Sequence, residues 1–140
     1  MPRVKVSLPE SFGFAVEIPV RITDLNYGAH LGNDALLGLL HEARVQFLAH
    51  LGTAEFDLAT RLGFIMVDVA IEYKAEAFYG DVLTIELAAA DPNKYGFDIV
   101  YHVKNQHAKE ITRAKTGMLC FDYTTRKLRP LPPELAARFN

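Results

Sequence analysis

The stretch Asn33-Asp34-Ala35-Leu36-Leu37-Gly38-Leu39-Leu40-His41-Glu42-Ala43-Arg44-Val45-Gln46-Phe47-Leu48-Ala49-His50-Leu51-Gly52 decides how this chain folds. Leu36, Leu40, Ala43, Phe47 and Leu51 recur at spacings of four, three, four and four, which draws one continuous apolar stripe along an α-helix. Leu37, Leu39 and Leu48 widen the stripe on both sides, so the helix is expected to be largely buried. Asn33 and Asp34 are strong N-cap types and mark its start, and Gly52 marks its end. A shorter helix is expected over 55–62, closed by Gly63.

Before the helix, Phe14, Val16, Ile18, Val20 and Ile22 alternate with polar or small residues, the period of a strand with one buried face. Pro19 removes a ladder donor and places that strand at or near a sheet edge. After the helix, residues 64–73, 82–90, 96–103 and 111–121 each carry strand composition or alternation. Turn chemistry separates them at Tyr79-Gly80-Asp81, Asp91-Pro92-Asn93-Lys94 and Asn105-Gln106-His107. The order is one strand, one long buried helix, then four strands. Consecutive strands on short links pair antiparallel, so the fold class is α+β, a sheet wrapped round a single helix.

Composition sets the outer limits. The 140 residues are 50% hydrophobic and 23% charged, which suits one folded domain spanning 1–140 and excludes disorder. Fifteen Lys and Arg against seventeen Asp and Glu give a formal charge of −2, so no global basic field draws nucleic acid. The single Cys120 excludes an intramolecular disulfide framework and a multi-cysteine zinc site; it reads as a buried packing thiol. Residues 1–10 hold two prolines and no apolar run, so they are expected to be neither signal nor anchor. No run approaches the roughly 18 apolar residues that span a bilayer. A soluble cytoplasmic protein is the expectation. His41, His50, His102 and His107 show no ligand spacing, and Gly28 and Gly32 form no dinucleotide fingerprint. No metal and no cofactor are expected.

Val20-Arg21-Ile22-Thr23-Asp24-Leu25-Asn26-Tyr27-Gly28-Ala29-His30-Leu31-Gly32-Asn33 resembles the signature loop of the 4-hydroxybenzoyl-CoA thioesterase-like family. His41-Glu42-Ala43-Arg44-Val45-Gln46-Phe47-Leu48 resembles that family's Glu-Ala-Arg helix segment. Ile71-Glu72-Tyr73 and Gly80-Asp81-Val82-Leu83 resemble its second and third strands. The resemblance implies a hotdog fold, a curved five-stranded antiparallel sheet round one long central helix. It implies a thioester hydrolase acting on an acyl-CoA or acyl-carrier-protein substrate. It also implies a homodimer, extended to a homotetramer of two dimers, with sites formed between subunits. Many members carry two acids in the loop, the second being catalytic. Here that second position is Asn26, and an amide can be neither general base nor carboxylate nucleophile.

Thioester hydrolysis needs an activated water and donors for the developing oxyanion. The first amides of the helix are such donors, and Asn33 follows Asn26 by seven residues, the separation the family shows between its acid and its polarising amide. Asn33 also reads as a plain cap. The catalytic candidates are Asp24, His30 and Glu42. Asp24 either holds His30 in its working tautomer or closes an Asx-type turn. His30 has a suitable reference pKa, near 6.5, and serves equally as a structural loop histidine. Glu42 falls about 120° from the centre of the stripe, where it is a base or an ion-pair partner of Arg113 or Lys115. Asn26, Tyr27, Asn33 and Phe64 are the expected substrate-binding residues. Asp68 interrupts the apolar run 64–69 and reads as an interface salt-bridge residue or as one facing a pocket. Lys74, Arg113, Lys115, Arg126 and Lys127 read as solvated strand charges or contacts to coenzyme A phosphates. Two other readings stand beside hydrolysis. One is a silent acyl-CoA-binding module, motivated by Asn26. The other is an enoyl-CoA hydratase, whose Asp-x-Asn-Pro-x-His loop the chain misses by one inserted residue and the proline.

Overall fold

In the computed structural model the strand order across the sheet is set by where apolar faces can be buried. The structure describes residues 2–139; Met1 and Asn140, the limits of the expected domain, lie outside the described residues. β1 (Phe14–Pro19) is followed by α1 (Asn33–His50), then β2 (Leu62–Tyr73), β3 (Val82–Ala90), β4 (Gly96–Lys104) and β5 (Glu110–Asp122). A two-residue β6 (Lys127–Leu128) and a short α2 (Pro133–Ala136) complete the described chain. The sheet runs β1-β3-β4-β5-β2, every pair antiparallel, with β6 on β5. This is the expected α+β hotdog arrangement, and β1 is an edge strand, as Pro19 requires.

One link departs from the expectation that neighbours in sequence pair. β2 pairs with β5 and not with β3, so residues 74–81 must cross from one side of the sheet to the other. The crossing passes the start of α1, where Leu31 N–H donates to the Ala77 carbonyl at 2.8 Å and Ala77 is buried. That passage positions the site described below.

Leu36, Leu40, Ala43, Phe47 and Leu51 are all buried, as the stripe predicts. They join one cluster with Leu83, Ile85 and Leu87 of β3 and Phe97, Ile99, Tyr101 and Val103 of β4. Leu39 and Leu48 are buried too, but Leu37 is exposed because it turns away from the sheet. Arg44 enters the core from the same face. It pairs with Glu55, and its Nη1 donates to the Tyr101 hydroxyl at 3.3 Å, which meets Thr116 Oγ1 at 2.8 Å. This satisfies a guanidinium that burial would otherwise leave costly.

The expected helix over 55–62 is absent. Glu55 is drawn to Arg44 and to His41 (2.5 Å), its carbonyl accepts the Phe64 amide at 2.9 Å, and Phe56 bridges to Gly63. Tertiary pairing has overridden local helical pattern. Gly63 is needed for close approach, since a Cβ there would collide with the Glu55 carbonyl. β1 also stops at Pro19, short of Ile22, because Ile22–Asp24 turns into a single 3₁₀ turn. The α1 N-cap is Gly32, with no side-chain cap bond, so Asn33 and Asp34 sit inside the first turn.

Gly96 of β4 lies so close to β5 that a Cβ would overlap the Met118 carbonyl. Gly96→Ala is expected to destabilise the fold by about 1–3 kcal/mol, the usual cost of overpacking a filled site. Urea unfolding checks this, with a lower midpoint and an unchanged slope as the expected result.

Candidate active site

Residues 24–33 form a miniature hairpin that delivers the chain to α1. Leu25 and Leu31 bridge, and Asn26 N–H donates to the His30 carbonyl at 2.9 Å. Asn26 Oδ1 accepts the Gly28 amide at 2.9 Å, an Asx-type turn, and Ala29 takes a positive φ of 63° to close it. Tyr27 stands at the tip, fully exposed. The far end is pinned twice: Leu31 to Ala77, and Gly32 N–H to the Asp24 carbonyl at 2.9 Å.

Asp24 is the buttress of this turn. It is buried, and its Oδ2 accepts the Arg21 amide at 2.8 Å and Arg21 Nε at 3.2 Å, while Oδ1 accepts Nη2 at 3.1 Å. Burial alone would raise its pKa, but the Arg21 guanidinium and amide outweigh burial and hold it below the ordinary 3.8. Asp24 therefore turns to Arg21 and not to His30. The Asx-type alternative weighed from sequence is close to what it does, as a carboxylate receiving a loop amide.

A cavity of about 270 Å³ opens at the start of α1. His30, Asn33, Leu36, Tyr73, Glu76, Ile111 and Thr112 are among its walls. Asn33 is the first residue of α1, so its amide has no partner within the helix and helps carry the positive end of the helix dipole. The Tyr73 hydroxyl donates to the Asn33 carbonyl at 3.0 Å, tying β2 to this turn. His30 Nε2 lies 3.2 Å from Glu76 Oε2, and its Nδ1 lies 3.3 Å from the Leu31 carbonyl oxygen.

Of the residues singled out from sequence, the structure brings His30, Asn33 and Lys74 into one cavity. Asp24, Asn26 and Tyr27 are not among the residues that line it; Asp24 is buried and Tyr27 exposed. Glu42 is exposed on α1, where Gln46 Nε2 donates to it at 2.8 Å. It meets neither suggested cation, since Arg113 pairs with Glu110 and Lys115 with Asp68. Asp68 forms its ion pair within the chain, with Lys115 at 3.0 Å, rather than the interface salt bridge expected. Phe64 is buried edge-on to Phe97 and lines a different cavity, of about 290 Å³, near Thr53 and Leu135. That cavity lies past the C-terminal end of α1, whose 18 residues span about 27 Å. Cys120 borders it as well, and burial pushes its thiol up to about 11, too high for a nucleophile at neutral pH. Tyr73 and Glu76 were missed from sequence. Neither carries a site signal of its own: Tyr73 reaches the helix start as the last residue of β2, and Glu76 on the 74–81 crossing.

Residues 20–139 match the sequence profile of the thioesterase-like superfamily. The chain belongs to that superfamily. Among the relatives of this thioesterase-like chain is the 1,4-dihydroxy-2-naphthoyl-CoA hydrolase of Synechococcus elongatus, 30% identical over 103 residues, covering 71% of this chain and 75% of that protein. The long-chain acyl-CoA thioesterase FadM of Escherichia coli is 28% identical over 125 residues, 89% of this chain and 95% of that protein. The crystal structure of a 1,4-dihydroxy-2-naphthoyl-CoA thioesterase from Synechocystis superposes with a TM-score of 0.81 at 22% identity, over 90% of this chain and 94% of that one. Hence the hotdog fold of this thioesterase-like chain is shared well beyond sequence similarity. No helix among the described residues is long and apolar enough to cross a membrane.

The Asp24 geometry fixes a pH dependence. Because its folded pKa lies below 3.8, Asp24 stabilises the fold above that value, and the contribution is lost as pH falls through the lower folded value. Asp24→Asn is expected to lower the urea midpoint at pH 7, and the gap from wild type should narrow at pH 3. An equal gap at both pH values would contradict the assignment.

Proposed function

We propose that this chain is a thioester hydrolase acting on acyl-CoA, with the thioester carbonyl seated in the cavity at the start of α1. The observation that carries the reading is the position of the Asn33 amide, unpartnered by helix geometry, on the wall of that cavity. A carbonyl oxygen received there gains a hydrogen bond that strengthens as it becomes an oxyanion. His30 stands on the same wall and Leu36 and Ile111 supply an apolar floor for the acyl group. Asp24 serves by holding the loop rather than by touching the substrate. The superfamily and the relatives named as CoA hydrolases support the substrate class, and no cofactor is needed for water to attack a thioester. A buried, unpaired Cys120 suits a reducing compartment, and the cytoplasm is part of this reading.

Release of free thiol across a panel of aromatic and aliphatic acyl-CoA and acyl-carrier thioesters is the expected result. Binding without thiol release would favour the silent module that Asn26 motivates, and a change in enoyl absorbance would favour the hydratase. Asn26→Asp should leave turnover unchanged or raise it, because a carboxylate can still accept the Gly28 amide. A loss beyond about tenfold, roughly 1.4 kcal/mol, would show that the amide itself takes part.

The working unit in this proposal is a homodimer, or a tetramer of two such dimers. β2 is a 12-residue edge strand with Met66, Val67 and Val69 exposed, an edge that another chain can cover. Tyr73 ends β2 and also lines the cavity, so a partner paired along β2 would wall the site. Sedimentation at micromolar concentration should give a dimer or larger, and a stable monomer would contradict it. Lysine placed at both Met66 and Val69 should shift the protein towards monomer and reduce turnover with it.

A further inference from the structure

The Tyr73 hydroxyl and the Lys74 ammonium on the cavity wall already have partners. Tyr73 donates to the Asn33 carbonyl, and the Lys74 ammonium sits 3.1 Å from Glu72. The candidate acids read from the sequence lie elsewhere: Asp24 is saturated by Arg21, and Glu42 faces outward beside Gln46. Among the described residues lining the cavity, Glu76 is the sole carboxylate. It is held there by the backbone, because the next residue, Ala77, accepts the Leu31 amide two positions before Asn33.

His30 cannot easily be the base in this seat. Both ring nitrogens face oxygens, Nε2 towards Glu76 Oε2 and Nδ1 towards the Leu31 carbonyl. A neutral imidazole has one N–H and one lone pair, and here neither nitrogen directs a free lone pair into the cavity. As a donor to Glu76 the ring is well placed. The Glu76 side chain is 62% exposed, so water reaches it, and His30 engages only its Oε2.

The geometry points to Glu76 as the general base that activates the hydrolytic water, with His30 as the positioning residue that holds its carboxylate towards the Asn33 amide. The assignment rests on the thioesterase reading above. A water held by Glu76 Oε1 attacks the thioester carbon while its proton passes to the carboxylate. The new C–O bond forms as the carbonyl π electrons move to oxygen, against the Asn33 N–H. Collapse of that oxyanion breaks the C–S bond, and the proton on Glu76 passes to the departing thiolate. The products are a carboxylic acid and free thiol, and Glu76 returns to its carboxylate form. The chain thus supplies from the β2–β3 crossing an acid that the amide of Asn26 cannot replace.

The test uses wild type, Glu76→Gln and Glu76→Ala on the best thioester of the panel, with thermal unfolding to verify the fold. Glu76→Gln is expected to lower kcat by about 100-fold or more with KM little changed, and to erase the acid limb of the pH–rate profile. Added formate should raise the rate of Glu76→Ala and leave wild type unchanged, a rescue that a structural role would not give. A folded Glu76→Gln keeping kcat near wild type, or losing only KM, would overturn the assignment while leaving the thioesterase reading intact. So would Glu76→Ala unmoved by formate. A wild-type protein releasing no thiol would instead overturn the thioesterase reading, and this assignment with it.

Discussion

The whole architecture depends on burying one face of α1 against the inner face of the sheet. Leu36, Leu40, Ala43 and Leu48 are almost wholly removed from water, as are Leu83, Ile85, Ile99 and Val103 opposite them. Each such side chain contributes about 1.5–3 kcal/mol relative to exposure, so the helix has one stable rotation about its axis. That rotation decides which side chains enter the core and which end of α1 is held where. Arg44 is carried inward by it, and the Glu55, Tyr101 and Thr116 contacts follow from the need to satisfy its charge.

From that burial comes the site. A helix locked along its length has a fixed first turn, and the amide of Asn33 is free because no turn precedes it. The hairpin at 24–33 and the crossing at 74–81 then converge on the same point, through Asp24 to Gly32 and Ala77 to Leu31. Two segments far apart in sequence thereby face one another across a cavity, with their backbones already bonded. Under the proposed function such an arrangement is preorganised: its donors would be in place before any substrate arrives. Asp24 illustrates how loop acids divide between roles. Its sequestration by Arg21 makes it a structural carboxylate despite its place in the signature loop.

The sequence by itself determined the long helix, the edge strand at Pro19 and the four later strands, because each is written in local periodicity or turn chemistry. β3 spans 82–90 in the structure as in the pattern, and β2, β4 and β5 differ only at their ends. It also pointed to the loop and the helix start through His30 and Asn33, which the structure brings to one cavity. Tertiary structure alone decided the rest, since those choices depend on contacts between distant residues. Partnering of β2 with β5 follows from how the sheet covers α1, and it sends the 74–81 link past the helix start. The segment over 55–62 lost its helix to long-range bonds from Glu55 to Arg44 and Phe64. Asp24 turned to Arg21, Phe64 went to the opposite end of α1, and Glu76 came to the cavity for the same reason. Periodicity reports which face of an element is apolar, whereas the meeting of two polar side chains is fixed only when the elements bearing them have docked.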